Sequence, residues 1–446
     1  MITSIKLNEN IEAILNFAIE NLILLDQNEI YWKADDNSIF KLRDKIVIES
    51  SLLVYILNRD MNRNDNIKKL CLQATDLLKN LVSNSQTKAL IHKNPQFAYI
   101  LGLSYISLNA MGYVDDEYEF LIKNITRFNK FNLTEKIPFR QLDILWAFNF
   151  YNSEKLNADF PDYSFLSFAT SPAYMERNDA YALTHTIMYL TDFGMSNDKI
   201  KKSEHMENIY NQLNSSLIWC ITSEDFDLTS EILLAYYYCG FHENIRTKIS
   251  FEILLKYWTK FSFLPSPTFV YKQYAELDEL SKKAYYYRNC YHTNYVFGLC
   301  LSGYNKYKEL TEKINTAEEQ YFIKKQNNLL MHIKKVRESI LLFLLNEFGI
   351  QSINYSEFQN SFLISELLNQ LILISKQLKT DNIFVQAIEE SEIAISEKII
   401  LLFESNIWLA IKNYDIELIV KMMYLLIKIK PDISENFAFQ EALEFC

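Results

Sequence analysis

The sequence contains few glycines and prolines, with seven of each among 446 residues. Phosphate-binding loops, tight hairpins and doubly wound sheets all depend on glycine at defined turns. Neither G-x-G-x-x-G nor G-x-x-x-x-G-K-[ST] occurs in the chain, so nucleotide binding through either loop is not expected. The shortage of turn residues also argues against a protein built from β-hairpins.

Closely spaced cysteine pairs, basic stripes and long continuous apolar segments are missing as well. The six cysteines are scattered and form no C-x-x-C pair, so reduced and mostly buried thiols are expected. The formal net charge is -11, and no basic stripe suggests nucleic acid as a partner. No continuous run of apolar residues approaches the roughly 18 residues that a membrane-spanning helix requires.

The first segment, MITSIKLNENIEAILNFAIENLILL, does not have the pattern of a secretory signal. It carries glutamates at positions 9, 12 and 20 and lacks both a basic start and a small-residue cleavage site. Together with the missing membrane span, this pattern predicts a cytoplasmic protein that binds no membrane.

Apolar residues are abundant, and their spacing is helical. They make up 49% of the chain, and aromatic residues make up 14%, which is enough for a sizeable core. In NENIEAILNFAIENLILL, one face of a helix carries Ile11, Ile14, Leu15, Ala18 and Leu22. The same period recurs in almost every segment, so the sequence predicts an all-α fold.

A weak internal repeat suggests how the helices are arranged. AYYYCGFH begins at Ala235, and AYYYRNCYH begins 49 residues later at Ala284. A period of about 50 residues corresponds to two helices and their turns, which predicts either a closed α/α barrel (toroid) or an open helical-repeat solenoid. Chance similarity in a tyrosine-rich chain is the alternative.

The composition changes after Tyr304. The following segment, NKYKELTEKINTAEEQYFIKKQNNLLMHIKKVRESILLFLLNEFG, is charged, poorer in aromatic residues and almost free of helix breakers. We therefore predict an α/α repeat or toroid domain over residues 1–305 and a C-terminal helical accessory domain over residues 306–446. The C-terminal helices are candidates for contact with a partner protein or a second copy of the chain.

The segment ALTHTIMYLTDFG, residues 182–194, carries a polar stripe on an otherwise apolar helix. His185, Tyr189 and Asp192 share one face of this helix, and Tyr181 joins them one turn earlier. Such a stripe predicts a helix that lines a polar cavity, and a histidine hydrogen-bonded inside the core is the alternative. A protein kinase is not indicated by Asp-Phe-Gly, because the Gly-rich loop, the strand lysine and His-Arg-Asp are missing. Gly194 is instead predicted to end the helix.

The segment RNCYHTNYVFGLC contains a second cluster of reactive residue types. Cys290 and His292 could join Cys239 or His242 in a zinc site with an open position. The spacing is loose and includes no C-x-x-C pair, so ordinary buried cysteines are favoured. We therefore expect neither a metal nor another cofactor.

Three carboxylates begin the segment EDFDLTSEILLAYYYCG. Asp225, Asp227 and Glu231 lie before or near the start of a predicted helix, where carboxylates commonly cap the backbone and interact favourably with the helix dipole. If this helix lies in an inner layer, Glu231 faces inward about as readily as outward. One of the three could then act as a general acid or base.

The segments THTIMYLTDFG and YHTNYVFGLC resemble a motif pair, THT..Y.TDFG and YHTT.V, of an uncharacterised bacterial family of helical proteins. The resemblance covers residues 1–305. It implies that the gene for this protein belongs to a set of natural-product or peptide-tailoring genes. Asn294 stands where the second motif has another threonine, which puts any role of that hydroxyl in doubt. The chain also looks like the α/α toroids of terpene cyclases, prenyltransferase β subunits and lanthipeptide cyclases. It lacks their D-x-D-D and Cys-His-Gly signatures, so this likeness concerns the fold alone.

Two functions remain open from the sequence. The first is an enzyme that modifies a small molecule or a peptide segment by acid–base chemistry in an aromatic-lined cavity. The second is a non-catalytic helical-repeat module that binds a peptide or a protein. The clustering of ionisable groups favours the enzyme. The predicted catalytic residues are His185, Asp192 and His292, and the predicted substrate-binding residues are Tyr181, Tyr189, Glu231, Tyr291 and Thr293.

Overall fold

The computed structural model describes residues 4–27, 42–61, 64–127, 136–154, 164–168, 173–311, 329–349, 364–378 and 383–429. Helices account for 81% of these residues, and no strand is formed among them. The predicted all-α fold is therefore confirmed. Within the described ranges, no helix has the length and apolar character needed to cross a membrane.

The described residues form twenty α-helices and two short 3-10 helices, Pro95–Phe97 and Phe165–Ser167. The α-helices are α1 (Ser4–Gln27), α2 (Leu42–Asp60), α3 (Asp65–Val82), α4 (Ser85–Lys93), α5 (Ala98–Leu101), α6 (Leu103–Asn109), α7 (Asp116–Arg127), α8 (Pro138–Tyr151), α9 (Arg177–Leu190), α10 (Asp198–Lys201), α11 (Met206–Thr222), α12 (Phe226–Cys239), α13 (Ile245–Phe261), α14 (Tyr271–Ala275), α15 (Glu279–Thr311), α16 (Leu329–Phe348), α17 (Ile364–Leu378), α18 (Ile383–Glu390), α19 (Ile395–Lys412) and α20 (Ile416–Ile429).

Six helices contact one another in a closed cycle. Helix α2 packs on α6, α6 on α8, α8 on α9, α9 on α12 and α12 on α15, and α15 packs in turn on α2. Further helices pack on these six: α1 on α2 and α15, α3 on α2 and α6, and both α11 and α13 on α12. The helices of the cycle therefore pack both on one another and on these further helices.

Helices α9, α12, α15 and α2 run in the same direction. In each neighbouring pair, a contact that lies further along one helix also lies further along the other helix. These contacts are Tyr181 with Asp227 and Thr184 with Glu231 for α9 and α12, Asp227 with Thr293 and Tyr237 with Tyr304 for α12 and α15, and Glu49 with His292 and Met61 with Asn305 for α2 and α15. Polar residues from different helices therefore meet at one level of the cycle.

Helix α12 is buried on every side. All fourteen of its residues are buried, and most of them are apolar or aromatic. The Asp225 carboxylate accepts a hydrogen bond from the Leu228 N–H at 3.1 Å and caps the helix start. Gly240 ends the helix with a φ of 70°, a left-handed conformation that glycine adopts without strain. Asp227 and Glu231 are the two ionisable side chains of this buried helix near its start.

The two tyrosine-rich segments occupy different parts of their helices. Ala235 lies in the second half of α12, whereas Ala284 lies near the start of the much longer α15. Because α12 and α15 pack directly on each other, the two segments belong to neighbouring helices. They do not occupy equivalent positions of a structural repeat.

Helices beyond residue 305 pack on the earlier part of the chain. Helix α15 continues without interruption through residue 305, and α18 and α19 pack on α11. A buried ion pair joins α13 to α19, because Arg246 Nε and Nη2 donate to Glu404 Oε2 and Oε1 at 2.8 and 3.1 Å. The division into two domains stays a prediction.

Candidate active site

Glu231 is a nearly fully buried carboxylate that lies between two histidines. Thr184 on α9 donates a hydrogen bond to Glu231 Oε2 at 2.6 Å. The other oxygen, Oε1, lies 3.5 Å from His185 Nε2 and 3.6 Å from His292 Nε2. Glu231 therefore brings together the two His-Thr motifs, which belong to α9 and α15.

His292 is surrounded by three carboxylates. Its Nδ1 lies 2.9 Å from Glu49 Oε2 on α2, and its Nε2 lies 3.6 Å from both Asp227 Oδ1 and Glu231 Oε1. Burial lowers the pKa of His292, but the charges of Glu49 and Asp227, the neighbouring Glu231 carboxylate and the hydrogen bond to Glu49 outweigh burial. Together they hold the pKa well above its ordinary value of 6.5. The surrounding carboxylates therefore favour the imidazolium form of His292.

The histidines in turn keep two carboxylates ionised. Burial raises the pKa of Glu231, but the neighbouring imidazoles of His185 and His292 move it well below the ordinary value. Burial also raises the pKa of Glu49, and the charge and hydrogen bond of His292 lower it more. Both side chains are thus anionic at neutral pH, with the imidazolium between them.

The pKa of Asp227 moves in the opposite direction. Asp227 accepts hydrogen bonds from the Tyr181 hydroxyl at 2.5 Å and the Thr293 hydroxyl at 3.3 Å. Burial raises its pKa, and although His292 lowers it, the negative charge of Glu231 adds to the net rise. The same group of charges therefore moves the pKa values of Asp227 and Glu231 in opposite directions.

Aromatic rings surround His185. The rings of Phe139 and Tyr181 each meet the imidazole edge-on with centroids 5.8 Å away, and Tyr189 does so at 6.3 Å. Tyr189 also forms a hydrogen bond with the buried Asp143, whose pKa is raised by burial despite Arg140 and His185. His185 Nδ1 is buried and has no hydrogen-bond partner among the described residues. Packing against rings, rather than a hydrogen bond at Nδ1, therefore orients this imidazole.

The two imidazoles are accessible to solvent, whereas the central carboxylates are not. The side chains of His185 and His292 are 24% and 28% exposed, and that of Glu231 is 2% exposed. Asp227 is likewise almost fully buried. A substrate can therefore contact the histidines, while the buried carboxylates control their charge and orientation.

The predicted substrate-binding residues lie around this cluster. Tyr181 and Thr293 donate to Asp227, and Tyr189 packs against His185. Tyr291 forms a hydrogen bond with Glu49, and burial together with the charge of Glu49 raises the pKa of its hydroxyl. Glu231, predicted as a substrate-binding residue, contacts the histidines themselves.

Asp192 lies apart from the histidines in the described contacts. We expected it to orient one of them from the same helix face, but α9 ends at Leu190. Asp192 and Phe193 then adopt left-handed φ angles of 49° and 48°, which turn the chain away from the helical path. The Asp192 carboxylate accepts a hydrogen bond from Trp146 Nε1 at 2.9 Å. The carboxylates that do face the histidines are Glu231, Glu49 and Asp227.

Two carboxylates of the cluster were not among the predicted site residues. Glu49 lies in the apolar segment DKIVIESSLLVYILNRD, where a single acid in the middle of a helix was the only available signal. Asp227 was interpreted as one of several acids at a helix start. In the structure it is buried, and its side chain contacts α9 and α15 instead of a backbone N–H.

The alternative zinc ligands do not form a cluster. Cys239 and Cys290 are buried thiols, and burial raises the pKa of each. The backbone carbonyl of His242 accepts a hydrogen bond from the Tyr236 hydroxyl. Across the described ranges, no set of three or more His, Cys, Asp or Glu side chains is arranged to hold a metal ion.

Comparison with known proteins identifies a family but no function. No curated protein and no solved structure matches the chain. A family model described as a domain of unknown function, DUF6895, matches residues 12–301. This range contains the whole cluster, from Glu49 to Thr293, and it is more than half of the chain. The chain therefore belongs to the DUF6895 family.

Proposed function

We propose that this protein is an enzyme that acts on a small molecule or a peptide segment by acid–base chemistry at His185, Glu231 and His292. The supporting observation is that two partly exposed imidazoles face one oxygen of a buried carboxylate. Clustered ionisable groups with shifted pKa values are typical of catalytic sites. A surface that only binds a peptide does not require this arrangement.

Within this proposal, His292 is the proton donor and the source of positive charge. Its Nδ1–H donates to Glu49 at 2.9 Å, which fixes the ring. The raised pKa keeps the second proton on Nε2 at neutral pH. An imidazolium of this kind can protonate a leaving group or stabilise negative charge that develops on the substrate.

His185 is the proton acceptor in the same proposal. Its Nε2 lies 3.5 Å from Glu231 Oε1, which is longer than a good N–H···O hydrogen bond. A proton taken from the substrate at this nitrogen converts His185 to an imidazolium, and the adjacent Glu231 carboxylate stabilises the new charge. Thr184 holds that carboxylate in place through its other oxygen.

We also propose that the six-helix cycle is a closed α/α toroid and that the protein works in natural-product or peptide tailoring. Contact between α15 and α2 supports closure, because an open solenoid would leave its end helices apart. The tailoring context is supported by the motif resemblance alone.

The experiment that tests the enzymatic proposal compares product formation by the wild type and matched variants. Purified protein is incubated with the metabolite and peptide extract of cells that produce it, and mass spectrometry records compounds that are consumed and formed. We expect His292→Gln and Glu231→Gln to reduce turnover by about 10²–10⁴-fold. His205→Gln, a substitution outside the cluster at the start of α11, serves as the control and should retain turnover.

Two results would contradict catalysis at this cluster. A compound retained unchanged by the wild type and released by His292→Gln would support the non-catalytic binding module. Equal turnover by the wild type and both cluster variants would show that the chemistry takes place elsewhere. Circular dichroism of each variant verifies that it is folded.

A further inference from the structure

Two arginines each lie over one of the aromatic rings that contact His185. The Arg140 guanidinium is 4.9 Å from the centroid of Phe139, and the Arg177 guanidinium is 4.9 Å from that of Tyr181. Both rings meet the His185 imidazole at 5.8 Å. Each guanidinium is therefore one ring away from the proposed proton acceptor.

Both arginines occupy helix positions that normally disfavour a cation. Arg140 is the third residue of α8, and Arg177 is the first residue of α9. Backbone N–H groups make the start of a helix electropositive, so acidic residues are preferred there and arginine is opposed. Departures from a local preference are expected mainly at functional or strained sites.

Both guanidiniums retain exposed hydrogen-bonding capacity. Their side chains are 48% and 44% exposed. Arg140 contacts Asp143 through Nη1, and Arg177 contacts Asp225 and Asp227 through Nε and Nη2. Among the described residues, Arg140 Nε and Nη2 and Arg177 Nη1 therefore have no partner. Their own carboxylates hold the two arginines in position without using all of their donors.

We propose that Arg140 and Arg177 bind an oxyanion of the substrate, either a carboxylate or a phosphate, and so place the reacting group beside His185. This inference rests on the proposed function, because it assigns a substrate class to the same site. Guanidinium groups recognise planar or tetrahedral oxyanions through several N–H donors, and helix N-termini add favourable charge for an anion. This role in substrate binding also accounts for the position of both arginines one aromatic ring away from the His185 imidazole.

Binding of simple anions tests the inference without any knowledge of the reaction. Inorganic phosphate and propionate are titrated separately into the full-length protein, and nuclear magnetic resonance follows the histidine ring signals. We expect at least one anion to bind and to shift the His185 signal, which is assigned by its loss in His185→Gln. The double substitution Arg140→Gln with Arg177→Gln should weaken this binding by about ten- to a hundredfold.

Two further variants control for charge and folding. Arg127→Gln changes an exposed arginine at the end of α7, and its anion binding should equal that of the wild type. The Arg140→Lys with Arg177→Lys protein keeps both charges, so it should bind more tightly than the glutamine double variant. A preference for phosphate identifies a phosphorylated substrate, and a preference for propionate identifies a carboxylic acid.

The inference is wrong if neither anion binds to the wild type, or if the folded glutamine double variant binds as tightly as the wild type. These outcomes are independent of turnover. If turnover is retained but neither anion binds, only the present inference is contradicted. An anion site in a protein without turnover would instead contradict the enzymatic proposal.

Discussion

The substitution Glu231→Gln removes one negative charge from between two imidazoles and keeps nearly the same side-chain shape. At the 3.6 Å distance to His292 Nε2, the attraction between carboxylate and imidazolium is on the order of 5 kcal/mol for an effective dielectric constant of about 20. About a quarter of the His292 side chain is exposed, so solvent screening reduces this attraction. Glutamine can still accept the hydrogen bond from Thr184. We therefore expect the free energy of unfolding to fall by about 1–3 kcal/mol.

The size of this loss should depend on pH. The folded pKa of His292 is raised above 6.5, so its contribution to stability is complete below that value and is lost as pH rises through the folded pKa. The folded pKa of Glu231 is lowered below 4.5, so its contribution is complete above that value and is lost as pH falls through the folded pKa. The difference between wild type and variant should therefore be largest between about pH 4.5 and pH 6.5.

Urea unfolding at about pH 5.5, 7 and 8.5 measures this difference. The control is Glu252→Gln, which neutralises an exposed carboxylate on α13 and should change stability little at every pH. A loss in Glu231→Gln that is constant with pH, or that grows above pH 7, would refute the proposed charge pairing. A folded variant whose His292 titrates as in the wild type would refute it as well.

Three other predictions concern His185, the ion pair between Arg246 and Glu404, and zinc content. Replacing His185 by Ala should abolish turnover or ligand binding while lowering the melting temperature only slightly; outright unfolding, or full retained function, would assign this histidine to the core alone. Replacing Arg246 by Ala removes the guanidinium that pairs with the buried Glu404 and should cost about 3–5 kcal/mol in urea unfolding. The double change Arg246→Met with Glu404→Leu should cost much less, and equal losses would contradict a buried pair. Purified protein should contain no stoichiometric zinc by elemental analysis, and one zinc per chain that is lost in Cys290→Ala would contradict this expectation.

The helical fold could be predicted because the apolar period is local. Each helix needs only its own segment to show a buried face, as in α1, where the predicted face residues Ile11, Ile14 and Leu22 are all fully buried. The order in which helices contact one another depends on residues far apart in the chain. The contact between α15 and α2 is of this kind, and no local pattern in either segment indicates it.

The candidate site could be predicted in part for a related reason. His185 and His292 are conspicuous because ionisable side chains are rare on apolar helices, and the repeated His-Thr pair connected them. Glu49 has no such signal, because its partner on α15 is distant in the sequence and becomes visible only after folding. We expected Asp192 on the same face as His185 because we extended the helical period past Leu190. In the structure, two non-glycine residues adopt left-handed conformations there, before Gly194.

The position of the acid pair on α12 bears on the reason for the cluster. Burying an ionised carboxylate is unfavourable unless it is paired and hydrogen-bonded, and apolar residues of similar volume are often at least as stabilising as a buried ion pair. Asp227 and Glu231 nevertheless lie on α12, all of whose residues are buried. Apolar side chains at these positions would avoid the cost of burying charge. His292 offsets their charge, yet it remains partly exposed instead of being sealed in the core. His292 contacts buried acids on one side and is open to solvent. This arrangement is better suited to acting on a ligand than to stabilising the fold.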